Sequence, residues 1–76
     1  MCISFKSIDQ TIDFSVPCLG SDIFLAIEEK LYQEFPKLKD TNNYFLHNGK
    51  DVLRFKTMAQ NNIKSGDKII INKNDD

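Results

Sequence analysis

Cysteine and histidine are scarce in this sequence, which limits the covalent and metal chemistry it can support. The 76 residues include two cysteines, Cys2 and Cys18, and one histidine. Zinc sites use closely spaced groups of these ligands, and the chain offers no such spacing. If residues 2–7 and 11–16 form a hairpin, Cys2 lies roughly opposite Ser15 and Cys18 lies beyond the strand end. That separation exceeds the roughly 7 Å that a disulfide allows between Cα atoms. We therefore expect two free thiols in a reducing compartment.

The sequence also lacks a strong charge of either sign and any long apolar run. The formal net charge is −1, from 10 Lys and Arg against 11 Asp and Glu, and the two signs are interspersed. Binding of phosphates needs Lys and Arg clustered on one face, so neither nucleic acid nor a membrane surface is an expected partner. No apolar run approaches the roughly 20 residues of a membrane span. The first residues, MCISFKSID, show no secretory signal pattern. We expect an intracellular protein, in the cytoplasm or, as an alternative, in an organelle-associated complex.

Apolar side chains are plentiful enough for one small core. They form 41% of the chain, and six of them are Phe. A chain of this length makes one domain near the lower limit for folding without disulfides or metals. Residues 3–6 and 12–16 alternate apolar and polar side chains, which predicts two half-buried strands in a hairpin. The link at residues 7–10 contains no glycine, so its turn type and the strand register stay open.

Helical spacing follows over residues 22–35. Ser21 or Asp22 can cap the start of this helix, and Pro36 ends it. Glu28 lies outside the predicted apolar face. That face carries Ile23, Phe24, Ile27, Leu31 and Phe35.

The second half of the chain is a series of short predicted elements. They are a polar loop (40–43), a strand (44–47), a very short strand around Val52, a turn of helix (57–62) capped by Thr57, a turn (64–67), a strand (68–72) and a polar tail (73–76). Asn48-Gly49 is a strong turn signal because both residues tolerate positive φ. The order ββαββ, helical turn, β predicts an α+β fold with one helix on a mixed sheet. The expected core is Ile3, Phe5, Ile12, Phe14, Val16, Ile27, Leu31, Phe45, Met58, Ile63, Ile69 and Ile71.

An ordered series of residues in this half resembles the ubiquitin-like family. The series is Gly49-Lys50, Val52, Lys56-Thr57-Met58, Ile63, Gly66-Asp67 and Ile69-Ile70-Ile71. Ubiquitin-like domains commonly show these residue types at the same spacing. The resemblance implies a β-grasp fold over residues 1–72, followed by the tail at 73–76. Many members have Asp at the position of Arg54, so the loop around it is expected to be held differently.

The end of the chain departs from the modifiers of that family. Those proteins use a C-terminal Gly-Gly, whose carboxylate is adenylated and passed to a thiol or amine, whereas this sequence ends NKNDD. We therefore expect no conjugation. The resemblance then implies an adaptor, or a small accessory or structural subunit of a larger protein assembly. A receptor module for the proteasome or a ubiquitin-selective unfoldase is the alternative, and a covalent modifier is the third hypothesis.

No catalytic set or cofactor site is evident. His47 stands beside a turn and is expected to be structural. The resemblance matches Lys50 to the chain-linking lysine of ubiquitin, but we expect it to be a solvated turn lysine. The carboxylates are scattered, with no pair expected in one cleft. We expect a binding protein that uses no cofactor, not an enzyme.

The strongest binding candidates are apolar residues that the strand pattern turns outward. Tyr44, Leu46 and Ile70 are expected on the sheet face away from the helix. The resemblance matches Leu46 to the central isoleucine of ubiquitin's recognition patch, Ile70 to its histidine and Ile8 to its hairpin leucine, while Asn72 replaces a valine. Burying one such side chain contributes roughly 1.5–3 kcal/mol. Isolated apolar surface residues are also normal, so the alternative of no interface stays open.

Two further surfaces are candidates. Leu25 and Tyr32, seven residues apart, are expected to share the helix face opposite the core. Leu53 and Phe55 follow the short strand, where a turn residue would suffice. Phe55 could also fold back onto the core.

Overall fold

The computed structural model describes residues 1–73 and shows an α+β fold in which one helix packs on a five-stranded mixed sheet. The predicted architecture is confirmed at this level. The elements are β1 (Cys2–Ser7), β2 (Asp13–Pro17), α1 (Phe24–Glu34), a 3₁₀ helix (Pro36–Asp40), β3 (Asn43–His47), β4 (Lys50–Asp51) and β5 (Lys68–Lys73). Lys73, assigned to the tail from sequence, is the last residue of β5. The rest of the predicted tail, residues 74–76, lies outside the described residues.

The strand order across the sheet is β2-β1-β5-β3-β4. The central strands β1 and β5 are parallel, and the other neighbouring strands are antiparallel. Parallel neighbours need a crossover connection, and α1 lies within the chain that joins them. The sheet therefore holds the first and last strands side by side at its centre.

The turn between β3 and β4 has the predicted backbone conformation. Asn48 has φ 52° and Gly49 has φ 79°, the left-handed values that a two-residue hairpin loop requires. The short strand lies at Lys50–Asp51 and does not include Val52. The Val52 N–H still donates to the Phe45 carbonyl at 2.9 Å, so this residue follows the edge of β3.

The core lies between α1 and the sheet. Its buried apolar side chains are Ile3, Phe5, Val16, Cys18, Phe24, Ile27, Leu31, Leu38, Phe45, Met58, Ile63, Ile69 and Ile71. Phe5, Phe24 and Phe45 meet edge to face, with ring centroids 5.3 to 6.1 Å apart. Such aromatic pairs contribute about 0.5–1.5 kcal/mol each beyond the area they bury. Ile12 and Phe14, which were expected in the core, are half-buried and pack against it at its edge.

The helix differs from its prediction at both ends. It begins at Phe24, and the preceding Ile23 has extended backbone with a side chain that is 48% exposed. No side chain caps the helix start, because the Asp22 carboxylate instead accepts a hydrogen bond from the Leu19 N–H at 2.8 Å. Past its C-terminal end, Pro36 starts the 3₁₀ helix, which the sequence did not predict.

The register of the first hairpin also differs from its prediction. Cys2 lies opposite Pro17, two residues beyond Ser15. The reason is a longer link, residues 8–12, in which the Asp9 carboxylate accepts a backbone and two hydroxyl hydrogen bonds from neighbouring residues. Both cysteines are free, as predicted.

One turn of helix was expected over residues 57–62, but residues 58–62 form successive turns and Thr57 forms an isolated antiparallel bridge with Ile23. The predicted Thr57 cap is confirmed, since the Thr57 N–H donates to Gln60 Oε1 at 2.9 Å and the Gln60 N–H donates to Thr57 Oγ1 at 3.0 Å. This reciprocal pair satisfies two backbone donors that would otherwise lack partners. Met58 points inward and is fully buried, also as predicted.

Candidate protein-interaction surfaces

The predicted residues of β3 and β5 come together on the sheet face away from α1. Leu46 lies directly opposite Ile70, and Tyr44 lies directly opposite Asn72. Side chains alternate between the two faces of a strand, so burial of Phe45 beneath the helix sends its neighbours outward. Tyr44 is 38% exposed, while Leu46 and Ile70 are half-buried by their neighbours on the sheet.

Ile8 extends this group of residues toward the first hairpin. It is 63% exposed and follows the end of β1. Ile8 and Ile70 line the same shallow depression, and Ile8 also lines a neighbouring one with Asn72. We call the surface formed by Ile8, Tyr44, Leu46 and Ile70 the outer-sheet surface.

Charges of both signs surround the outer-sheet surface. Lys6 lies beside Ile70 on β1, and its Nζ is 3.8 Å from a carboxylate oxygen of Asp13. Asp51 lies opposite Leu46 on β4. Exposed ion pairs of this kind contribute about 0–1 kcal/mol. Because the charges partly cancel, apolar contact is the main means of recognition that this surface offers.

The prediction that Leu25 and Tyr32 lie on the outer face of the helix is wrong. Tyr32 packs against the core, and its hydroxyl donates to Glu28 Oε2 at 2.5 Å. Burial and this hydrogen bond raise the pKa of Tyr32 to about 12. Leu25 is half-buried, with its N–H bonded to the Arg54 carbonyl at 3.0 Å. Both residues lie on a flank of the helix that faces residues 52–56.

That flank contains an ion pair with one buried member, Glu28, which was expected to lie outside the apolar face. The Glu28 side chain is only 4% exposed, and its Oε1 lies 2.8 Å from Arg54 Nε. Within residues 1–73 no donor points directly at Oε1, so this contact is ionic and not a directed hydrogen bond. Arg54 also donates to the Asn43 carbonyl at 2.8 Å and stands 5.6 Å from the centre of the Phe45 ring.

Arg54 therefore joins three elements: the helix, β3 and the segment at residues 52–56. One feature of the sequence indicated that Arg54 has a special role. It occupies a position at which ubiquitin-like domains commonly have Asp. The prediction that the loop is held differently is consistent with these contacts. A buried carboxylate needs a cation or several donors, and here a residue 26 positions away supplies the charge.

Leu53 and Phe55 stand on either side of Arg54 and are exposed to 57% and 79%. Phe55 does not fold back onto the core, so that alternative is wrong. Asn61 holds the segment in place: its Oδ1 accepts from the Leu53 N–H at 2.8 Å and its Nδ2 donates to the Leu53 carbonyl at 3.0 Å. Two apolar side chains are thus presented by a loop with fixed backbone contacts.

His47 links the end of β3 to the turn before β5. Its Nε2 lies 2.8 Å from Asp67 Oδ2, which also accepts the Lys64 N–H at 2.8 Å. The Lys64 hydrogen bond, followed by the His47 contact, lowers the pKa of Asp67. These contacts give His47 a structural role, whereas Lys50 is exposed at the start of β4.

Residues 1–73 contain no group of three or more side chains placed to hold a metal ion. No helix in this part of the chain is long and apolar enough to cross a membrane. In the comparisons with known proteins, no family model and no curated protein matches the chain.

Proposed function

We propose that this chain is a ubiquitin-like protein-interaction module without catalytic activity, and that it serves as a small accessory or structural subunit, or an adaptor, of a larger protein assembly. Its strand order, with β1 and β5 parallel at the centre and one helix across one face, is compatible with a β-grasp. The sequence series supports the same assignment. Two of its glycines, Gly49 and Gly66, have φ of 79° and 88°, where a side chain would be strained.

The outer-sheet surface carries the functional part of the proposal. Its apolar side chains cannot reach the core, because the alternation that buries Phe45 and Ile71 turns Leu46 and Ile70 away from the helix. Further burial of these side chains must therefore come from another molecule. Full burial of one such side chain contributes roughly 1.5–3 kcal/mol, and the part already covered by neighbouring strands reduces this gain.

The partner that suits this surface is another protein. A pleated sheet face with adjoining apolar residues and balanced charges offers area for side-chain packing. The mixed charge around it gives little attraction for a phosphate backbone. A permanent subunit would keep the surface covered, which suits a domain whose outward residues include Ile8 at 63% exposure.

The test compares Leu46→Ala and Ile70→Ala with the parent chain in quantitative co-purification from cell extract. Loss of a central apolar anchor costs about 2 kcal/mol or more, or about thirtyfold in affinity, so both variants should lose most of the bound protein. Ile23→Ala is the matched control, because Ile23 is an exposed aliphatic residue at the start of the helix. The melting temperatures of all three variants should stay close to that of the parent.

The proposal would be overturned if both outer-sheet variants bound as tightly as the parent. A loss confined to Phe55→Ala, with Leu46→Ala unchanged, would move the interface to residues 53–55. Thermal unfolding of each variant separates lost binding from lost folding.

A further inference from the structure

Strand β2 forms one edge of the sheet, and its backbone groups alternate in direction. Two pairs of residues, one at each end of the β1–β2 pairing, show which backbone groups bond to β1. Met1 and Cys18 exchange hydrogen bonds of 2.9 and 2.8 Å, and the Ser7 N–H donates to the Ile12 carbonyl at 3.2 Å. Every second residue of an antiparallel pair is bonded in this way. Even-numbered residues of β2 therefore bond to β1.

The odd-numbered residues of β2 consequently point their backbone groups away from the sheet. These are Asp13 and Ser15, each with an N–H and a carbonyl, and Pro17, with a carbonyl only. Within residues 1–73, no loop or side chain accepts a hydrogen bond from the N–H of Asp13 or Ser15. Such an edge is a template for another strand.

We propose that this edge pairs with β2 of a second copy of the chain, antiparallel, about a two-fold axis at Ser15. The two Ser15 residues would exchange two backbone hydrogen bonds. Each Asp13 N–H would donate to the Pro17 carbonyl of the other copy. The result is one continuous sheet through both copies.

The residues of β2 disfavour two alternative registers. An axis at Asp13 would set two carboxylates directly opposite each other, which is destabilising. An axis at Pro17 would place residues without an N–H at the centre of the ladder. With the axis at Ser15, Asp13 faces Pro17, so neither problem arises.

The side chains on the helix side of β2 also complement one another in this register. Phe14 of each copy would lie opposite Val16 of the other. Phe14 is half-buried and meets the ring of Phe35 edge to face at 5.7 Å. An apolar side chain thus remains partly uncovered at the edge where the second copy would add its own strand.

The remaining edge of the sheet is a poorer template. Strand β4 has only two residues, Lys50 and Asp51, so it offers few groups for a ladder. It also lies beside Leu46 of the outer-sheet surface. Pairing through β2 leaves that surface open, so dimer formation and the proposed function can be tested separately.

Sedimentation velocity over a range of protein concentrations tests the dimer. The parent chain should move from 8.8 kDa toward twice that mass as concentration rises. Ser15→Asp would bring two carboxylates together at the axis and should keep the chain monomeric. Ser15→Asn, of nearly the same size but uncharged, should dimerise like the parent.

Amide exchange locates the contact even if Ser15→Asp proves unstable. The N–H groups of Asp13 and Ser15 in the parent should become protected as the mass rises. A parent that stays monomeric at millimolar concentration would overturn the proposal. So would a dimer in which these amides still exchange freely, or one that Leu46→Ala abolishes while Ser15→Asp does not.

Discussion

Replacing Arg54 with Met should destabilise the fold by leaving the buried Glu28 carboxylate without its cation. The Glu28 side chain is 4% exposed and Arg54 Nε lies 2.8 Å from it. Met retains a flexible apolar stem that can still cover Phe45. The variant therefore removes the charge and the hydrogen bond to the Asn43 carbonyl while keeping most of the packing.

Removing one member of a buried ion pair costs about 3–5 kcal/mol, because the remaining charge is uncompensated. The Arg54 side chain is 39% exposed, so in the variant water can reach the Glu28 carboxylate and partly compensate its charge. We therefore take the lower end of the range of about 3–5 kcal/mol. We expect a loss of about 3 kcal/mol in the free energy of unfolding. For a domain of this size that loss lowers the melting temperature by about 12–24 °C.

Urea unfolding followed by circular dichroism measures this loss, and a second substitution tests its cause. Glu28→Gln in the Arg54→Met background removes the buried charge, while its amide oxygen can still accept the Tyr32 hydroxyl. The double variant should regain half or more of the lost stability. A loss below about 0.5 kcal/mol for Arg54→Met, or no recovery in the double variant, would refute the ion-pair reasoning.

Three further predictions concern the core, the first hairpin and the thiols. Ile27→Ala should lower the free energy of unfolding, measured with urea, by about 2–5 kcal/mol because Ile27 is 1% exposed. A loss under about 0.5 kcal/mol would show that Ile27 is not part of the core. Hydrogen bonds lower the pKa of Asp9 from 3.8 to about 2, so its contribution to stability is complete above about pH 4 and is lost as pH falls toward 2. Asp9→Asn should flatten the pH dependence of the free energy of unfolding over that interval, and an unchanged dependence would contradict this. A thiol reagent should label Cys2 in the native protein and Cys18 only on unfolding, since Cys18 is buried and burial raises its pKa; equal labelling rates would contradict this.

The parts of the fold that the sequence predicts correctly are those that depend on local periodicity. Alternation in β1 sets the buried side chains Ile3 and Phe5 without knowledge of strand order. The Asn48-Gly49 turn was predictable because few residues tolerate its backbone angles. These features need only neighbours along the chain.

The missed features depend on contacts between distant residues. Glu28 is polar by type, and its burial depends on the charge of Arg54, 26 residues later, together with the hydrogen bond from the Tyr32 hydroxyl. That burial places Tyr32 on an inner flank, where its hydroxyl has an acceptor, and removes it from the outer helix face. The hairpin register was equally hidden, because the link is ordered by side-chain hydrogen bonds to Asp9 and carries no glycine signal.

The outer-sheet surface falls between these cases. Alternation predicts that Leu46 and Ile70 face away from the helix, and the strand register then places them opposite each other. The exposure of Phe55 was left open from sequence, because a large apolar side chain beside a turn can pack inward or outward. The two hydrogen bonds between the Asn61 side chain and the Leu53 backbone hold the loop with Phe55 outside.

Site-specific photo-crosslinking in cells tests most directly whether the outer-sheet surface contacts another protein. A benzophenone-bearing phenylalanine replaces Tyr44 in one variant and Phe55 in another, since both are exposed aromatic residues on different surfaces. We expect a discrete adduct from position 44 that is heavier than a dimer of the chain, and Ile70→Ala should lower its yield. Adducts from position 55 with none from position 44 would contradict this expectation.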